Sequence, residues 1–124
     1  MNQRTTLVTG AGFACLAVIL AASGAHGLKA TLEASGKREV FELAAQYQFY
    51  HALALLITGI LMNFYPDKKL RYAATSFVLG IFLFSGSLYG LSFIKLGILG
   101  PITPLGGVCF IIGWILMILG ILKK

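Results

Sequence analysis

The stretch from Leu7 to His26 reads LVTGAGFACLAVILAASGAH. Its small residues Gly10, Ala14, Ala17, Ala21 and Gly24 recur every three or four positions and so form one face of a helix. Leu16, Ile19 and Leu20 lie off that face. In lipid, a face of small residues lets neighbouring helices approach backbone to backbone. The run closes on Gly24-Ala25-His26-Gly27, which sets an ionisable ring where the apolar stretch stops. This spacing predicts the central helix of a membrane bundle.

The rest of the chain fits that reading. Of its 124 residues 58% are hydrophobic and only 11% are charged, whereas a soluble domain carries about a quarter charged residues. The charges sit between long apolar runs, residues 7–26, 44–65, 72–93 and 103–122. Each run is long enough to cross roughly 30 Å of hydrocarbon. The prediction is an all-α integral membrane protein, a compact four-helix transmembrane bundle with small-residue packing seams, in which residues 1–124 form a single four-span domain. Further seams are Ala73, Gly80 and Ser87 in the third run and Gly106, Gly113 and Gly120 in the last. Seams of this kind predict tight packing without a wide pore. Residues 37–43 mix charge with Val40 and Leu43, which predicts a short interfacial helix.

The net charge of +6 does not form a basic face interleaved with aromatics, so nucleic acid is not an expected partner. The basic residues set topology instead. Arg4, Lys68, Lys69, Arg71, Lys123 and Lys124 fall on one side of a four-span model, and Lys29, Lys37, Arg38 and Lys95 on the other. That asymmetry predicts a chain that crosses the membrane several times with both termini on the cytoplasmic side. The first run competes with a signal peptide, since Arg4 precedes it and Ser23-Gly24-Ala25 resembles a cleavage site. Its apolar core is longer than such peptides use and its seam is a packing feature, so it is expected to stay attached. Cys15 and Cys109 both lie inside spans at different depths and are expected to be free and buried.

Between the third and fourth runs, Gly97-Ile98-Leu99-Gly100-Pro101-Ile102-Thr103-Pro104 is too apolar for a solvated loop and is expected to fold over the bundle as a lid. Beneath it, one polar constellation stands out. Counted from the outer ends of the expected spans, His51, Ser85 and Ser87 lie about 9–12 Å deep, and Gln48 and Tyr89 about 6 Å deep. His26 and Thr103 flank the same end. Polar groups facing lipid are costly, so these should turn inward and meet. They form either interhelical hydrogen bonds alone or a small pocket opening outward. No Asp or Glu lies within a run to serve a proton relay, and His26 and His51 differ too much in depth to ligate one haem. No cofactor or metal is implied, and no set of catalytic groups is recognisable.

Four segments occur in order: Gly24-Ala25-His26-Gly27-Leu28, Gln46-Tyr47-Gln48-Phe49-Tyr50-His51-Ala52-Leu53, Leu83-Phe84-Ser85-Gly86-Ser87-Leu88-Tyr89 and Pro101-Ile102-Thr103-Pro104-Leu105-Gly106-Gly107. Together they resemble the YgdD/YwdK-like family, domain of unknown function 423, to which the eukaryotic transmembrane protein 256 looks related. The resemblance covers nearly the whole chain and implies four membrane helices and bacterial inner-membrane residence. It carries no biochemical activity across. One departure is Ser23, where the family's Gly-Ala-x-Gly-Ala-His segment usually holds an aromatic residue or leucine.

The function expected from this reading is that of a non-enzymatic accessory, assembly or small-ligand-binding module with a polar cluster in its outer half. The alternatives are a subunit of a small-solute transporter or channel and, third, an enzyme acting on a lipid or quinone. Expected partners are the lipid bilayer and either a membrane protein or further copies of the chain.

Overall fold

The computed structural model describes residues 1–123 and is helical throughout, with no strand among them; Lys124, counted above among the topology-setting charges, lies outside the described residues. The elements are α1 (Gln3–Ala25), α2 (Lys29–Ser35), α3 (Arg38–Leu61), α4 (Lys68–Gly80), a π-helical turn (Ile81–Ser85), α5 (Gly86–Phe93) and α6 (Leu99–Leu122). Local chemistry sets several of the boundaries. The Asn2 side chain accepts from the Thr5 N–H to cap α1. Asp67 does the same for α4 through the Lys69 N–H, after Pro66 has ended the preceding turn. Gly36, with φ of 71°, supplies the left-handed residue that closes α2.

Lys68–Phe93 runs as one rod through α4, the π turn and α5. With α1 and α6 it makes three helices long and apolar enough to cross a membrane. Their outer faces carry exposed Val8, Ile19, Leu79, Phe82, Ile111, Ile115 and Ile118. An apolar surface of that extent requires lipid around it.

The fourth long rod, α3, has 24 residues but carries Arg38, Glu39 and Glu42 in its first turns and Gln46, Gln48 and His51 further on. It is the central helix, which corrects the expectation placed on the Leu7–His26 run. α3 buries ten residues and touches α1, α2, α4, the π turn and α5. α1 buries only Thr6, Gly10, Ala17 and Gly24, and it packs chiefly on α3. The reason is solvation: the helix with the most polar groups gains most from being wrapped by other helices, while an apolar helix can face lipid at no cost. The α1 seam is accordingly narrower than the spacing predicts. Gly10, Ala17 and Gly24 meet α3, whereas Ala21 is exposed.

α4 and α6 run antiparallel, with a seven-residue register. Gly120 faces Leu70, Gly113 faces the Phe77 ring, and Gly106 faces the backbone at Leu83–Phe84. Conversely, Gly80 receives the Phe110 ring. Most of these glycines are therefore sockets for a large side chain from the facing helix. Gly106 differs, because there backbone meets backbone.

Three local expectations are corrected. Residues 37–43 are not a separate interfacial helix. From Arg38 they are the first turns of α3, where Arg38 pairs with Glu42 one turn on, and the short helix lies earlier, at Lys29–Ser35. The apolar lid is instead the start of α6, since Pro101 falls in its first turn, where no N–H is needed, and Pro104 is accommodated within the helix. Cys15 and Cys109 are free, as expected, but Cys15 is exposed on the outer face of α1 and Cys109 is partly covered, because neither lies on its helix's buried stripe.

Candidate functional site

The polar constellation is assembled around α3. Gln48 and His51 are three residues apart and both buried, so one helical face presents them inward. The Gln48 amide donates to the Phe13 carbonyl of α1 at 2.9 Å, and its oxygen accepts from the Tyr89 hydroxyl of α5 at 2.7 Å. One side chain thus ties three rods together. Ser85, in the π turn, donates to the Ala44 carbonyl of α3 at 2.8 Å. Ser87 and Thr103 share a hydrogen bond between α5 and α6.

The protonation of His51 follows from its partners. Nδ1 lies 2.9 Å from the Tyr47 carbonyl, which only accepts, and Nε2 lies 3.1 Å from the Trp114 indole N–H, which only donates. The ring is therefore neutral, with its proton on Nδ1, and neither nitrogen is left over. Phe110 stacks on it with centroids 3.5 Å apart and planes 9° from parallel, and Phe77 and Trp114 flank it. A second imidazole proton would set Nε2–H against the indole N–H, so this packing holds the histidine as an acceptor.

Of the residues singled out from sequence, Gln48 and Tyr89 meet, Ser87 and Thr103 meet, and Ser85 and His51 bond to α3 and α6 partners close by. His26 does not join them. It is exposed just past α1, where its own N–H closes the helix on the Ala22 carbonyl. It stops short because α1 ends at Ala25 and turns away into α2.

Trp114 and Tyr47 belong to the cluster and were not predicted there. Tyr47 packs on Phe84, Phe110 and His51. A signal existed for Trp114, since a lone intramembrane indole N–H needs an acceptor. Counted from the helix starts at Arg38 and Leu99, His51 and Trp114 both lie about 20–22 Å along their helices. Counted from residues 44 and 103, their levels do not match.

Among the described residues, no buried side-chain nitrogen or oxygen lacks a partner. The surface hollows lie elsewhere. A groove of about 420 Å³ runs between α1 and α3, floored by Ala17, Ala21, Phe41, Ala45 and Phe49 and edged by Glu42, Gln46 and Tyr50. Others gather at the opposite end of the bundle around Asp67, whose side chain is only 8% exposed and pairs with Lys123 at 3.4 Å and Lys69 at 3.8 Å. The Lys69 backbone N–H, aided by both lysine charges, holds that carboxyl below the usual carboxylate range.

Comparison with known proteins gives a consistent result. Residues 20–107 match the family model described as Protein of unknown function (DUF423). The UPF0382 membrane protein YwdK of Bacillus subtilis is 43% identical over 126 residues, covering 98% of each chain. A UPF0382 membrane protein of Staphylococcus epidermidis is 41% identical over 121 residues, again 98% of each. One from Haemophilus influenzae is 40% identical over 123 residues, 99% of this chain and 96% of its own. No solved structure matches. With agreement at this level along nearly the whole length, the chain belongs to the DUF423, or UPF0382, family of membrane proteins.

Proposed function

We propose that the chain is a four-span bundle of the bacterial inner membrane, with both termini and the Asp67 turn in the cytoplasm, and that it acts as a non-enzymatic accessory, assembly or small-ligand-binding module. The polar cluster of Gln48, His51, Ser85, Ser87, Tyr89 and Thr103 serves as interhelical glue in its outer half. One observation carries this reading: the buried donors and acceptors of the cluster are closed on one another or on backbone. A catalytic or solute-conducting centre needs groups left free for its substrate. What remains available for binding is the outer surface.

The α3 span carries the finer topology. Its 24 residues reach about 36 Å, and the polar side chains it buries, Gln48, His51 and Thr58, lie on the faces covered by other helices. In a variant without Cys15 and Cys109, Ser35→Cys and Asn63→Cys should label from opposite sides of intact cells. Both positions are exposed, and neither disturbs the Gly36 turn or the Asp67 cap. Labelling of Asn63→Cys from outside would overturn the orientation. Native mass spectrometry of the detergent-extracted protein tests the role. A retained partner protein or small molecule supports a binding or assembly module. Solute flux through reconstituted liposomes, or conversion of a retained lipid, would refute it.

A further inference from the structure

The three acidic residues Glu33, Glu39 and Glu42 lie at the end of the bundle where α2 meets α3. The opposite end gathers the start of α1, the turn before α4 and the end of α6. It holds Arg4, Lys68, Lys69, Arg71 and Lys123 among the described residues, against the single carboxylate Asp67. Asp67 is engaged by Lys69 and Lys123, and among the described residues Lys68 and Arg71 pair with no carboxylate. These two cations are three positions apart on α4, and Tyr72 is beside them, so one helix face carries all three.

Three adjoining hollows of about 400, 590 and 290 Å³ open on this face. Lys68 lines all three, while Arg71 and Tyr72 line two each. Asp67 also lines two, and in the 590 Å³ hollow it stands with its partners Lys69 and Lys123, which neutralise it. Their level along the bundle is informative. α4 enters its apolar stretch just beyond Arg71, Phe64 and Tyr72 stand 68% and 59% exposed, as interfacial aromatics do, and Leu116 walls the 590 Å³ hollow. A ligand here therefore meets cations at one end and an apolar surface at the other. A soluble anion would use only the first. A guanidinium with an ammonium beside it matches a phosphodiester, and basic pockets between spanning helices hold lipid head groups.

We propose that the α4 face carrying Lys68, Arg71 and Tyr72 binds the phosphodiester headgroup of an anionic phospholipid, whose acyl chain runs along the apolar surface at Leu116. The proposal rests on the bundle being embedded in lipid, and on neither its orientation nor its accessory role. The Asp67 clamp contributes by occupying Lys69 and Lys123, which leaves Lys68 and Arg71 free for the lipid.

The test uses the full chain reconstituted in equimolar phosphatidylglycerol and phosphatidylethanolamine, with lipid retention read by native mass spectrometry. The wild-type protein should retain phosphatidylglycerol preferentially. Lys68→Gln and Arg71→Gln should each reduce that retention by about fivefold, and the double variant by more than tenfold, since each surface cation contributes comparably. Circular dichroism confirms that the variants are folded. Lys29→Gln with Lys95→Gln removes equal charge from the opposite end and should change nothing. Unchanged retention in the double variant, or an equal loss in the control, would refute the site. Displacement of the lipid by inorganic phosphate alone would show a soluble-anion site and overturn the lipid assignment.

Discussion

The backbone-to-backbone approach at Gly106 makes a sharp test of the packing. At Gly106 a Cβ would stand 2.7 Å from the Leu83 carbonyl carbon and the Phe84 Cα. Carbon atoms in contact sit about 3.5–4.0 Å apart, so Gly106→Ala must part the two rods by about 1 Å. The Phe84 backbone nitrogen lies closer still, and none of these three atoms belongs to a side chain that could rotate away. Overpacking of this kind costs about 1–3 kcal/mol, and occasionally more. Alanine returns up to about 1 kcal/mol in helix propensity, so the net loss is about 2 kcal/mol or larger at the upper end of that cost, where a clash with backbone belongs. Gly12→Ala is the control, because nothing lies within 4 Å of its Cβ position. It collects the propensity gain alone. Thermal unfolding in one detergent should show Gly106→Ala melting several degrees below wild type and Gly12→Ala at or above it. If both variants melt at or above wild type, α6 does not meet the π turn at this distance, and the antiparallel pairing drawn from it is wrong.

Other perturbations separate buried from exposed positions in the same way. Ala17 is 2% exposed against α3, so Ala17→Leu should cost about 1–3 kcal/mol in a detergent melt, while Ala21→Leu, on the open groove, should cost little; equal effects would place both on the same face. Tyr89→Phe strips the donor from the Gln48 oxygen and should cost about 1 kcal/mol. Adding Gln48→Leu should then cost less than the two single losses summed, and strict additivity would mean the bond contributes nothing. Asp67 has its carboxyl held low, so its stabilisation is complete above the unfolded value of about 4 and fades as pH falls through the folded value. Melts between pH 7 and pH 3 should show that acid-side loss in wild type and less of it in Asp67→Asn. Identical profiles would show that the clamp contributes nothing.

Much of the fold was legible because lipid restricts what a sequence can do. Spacing alone identified the seams through Gly10 and Ala17 and through Gly106, Gly113 and Gly120, and these glycines do face other helices. Which helix is central was not legible from small residues, since a seam shows that a helix touches something and not how many neighbours surround it. The better indicator was polarity: Gln48 and His51 force α3 inside, while Cys15 and Ala21 can face outward at no cost. The candidate site was half legible for a related reason. Depth counting brought Gln48 to Tyr89 but missed the bond from Trp114 to His51. That pairing appears only when helices are counted from Arg38 and Leu99, and Pro101, Pro104 and the charges near Arg38 disguised both starts.

The polar bonds also answer a problem that the glycine seams create. Gly120, Gly113 and Gly106 recur every seven residues, the first two against the Leu70 and Phe77 side chains and the third against the backbone at Phe84. Leu70, Phe77 and Phe84 recur every seven as well. Sliding α6 by one repeat, about 10 Å, would set Gly113 against Leu70 and Gly106 against Phe77, with the same small-against-large fit at two of three positions. Steric complementarity alone therefore distinguishes these registers weakly, and apolar burial adds little where lipid solvates the helices equally well. The hydrogen bonds are not periodic. Trp114 reaches His51, and Thr103 reaches Ser87, only in the observed register, and a slipped α6 would strand an indole N–H and an imidazole nitrogen in apolar surroundings. Gln48 with the Phe13 carbonyl and Gln3 with the Gly59 carbonyl fix α1 on α3 at two levels in the same manner. A closed polar cluster is what a repeating seam needs in order to specify one alignment, and this gives the buried residues a physical task without requiring that any of them meet a substrate.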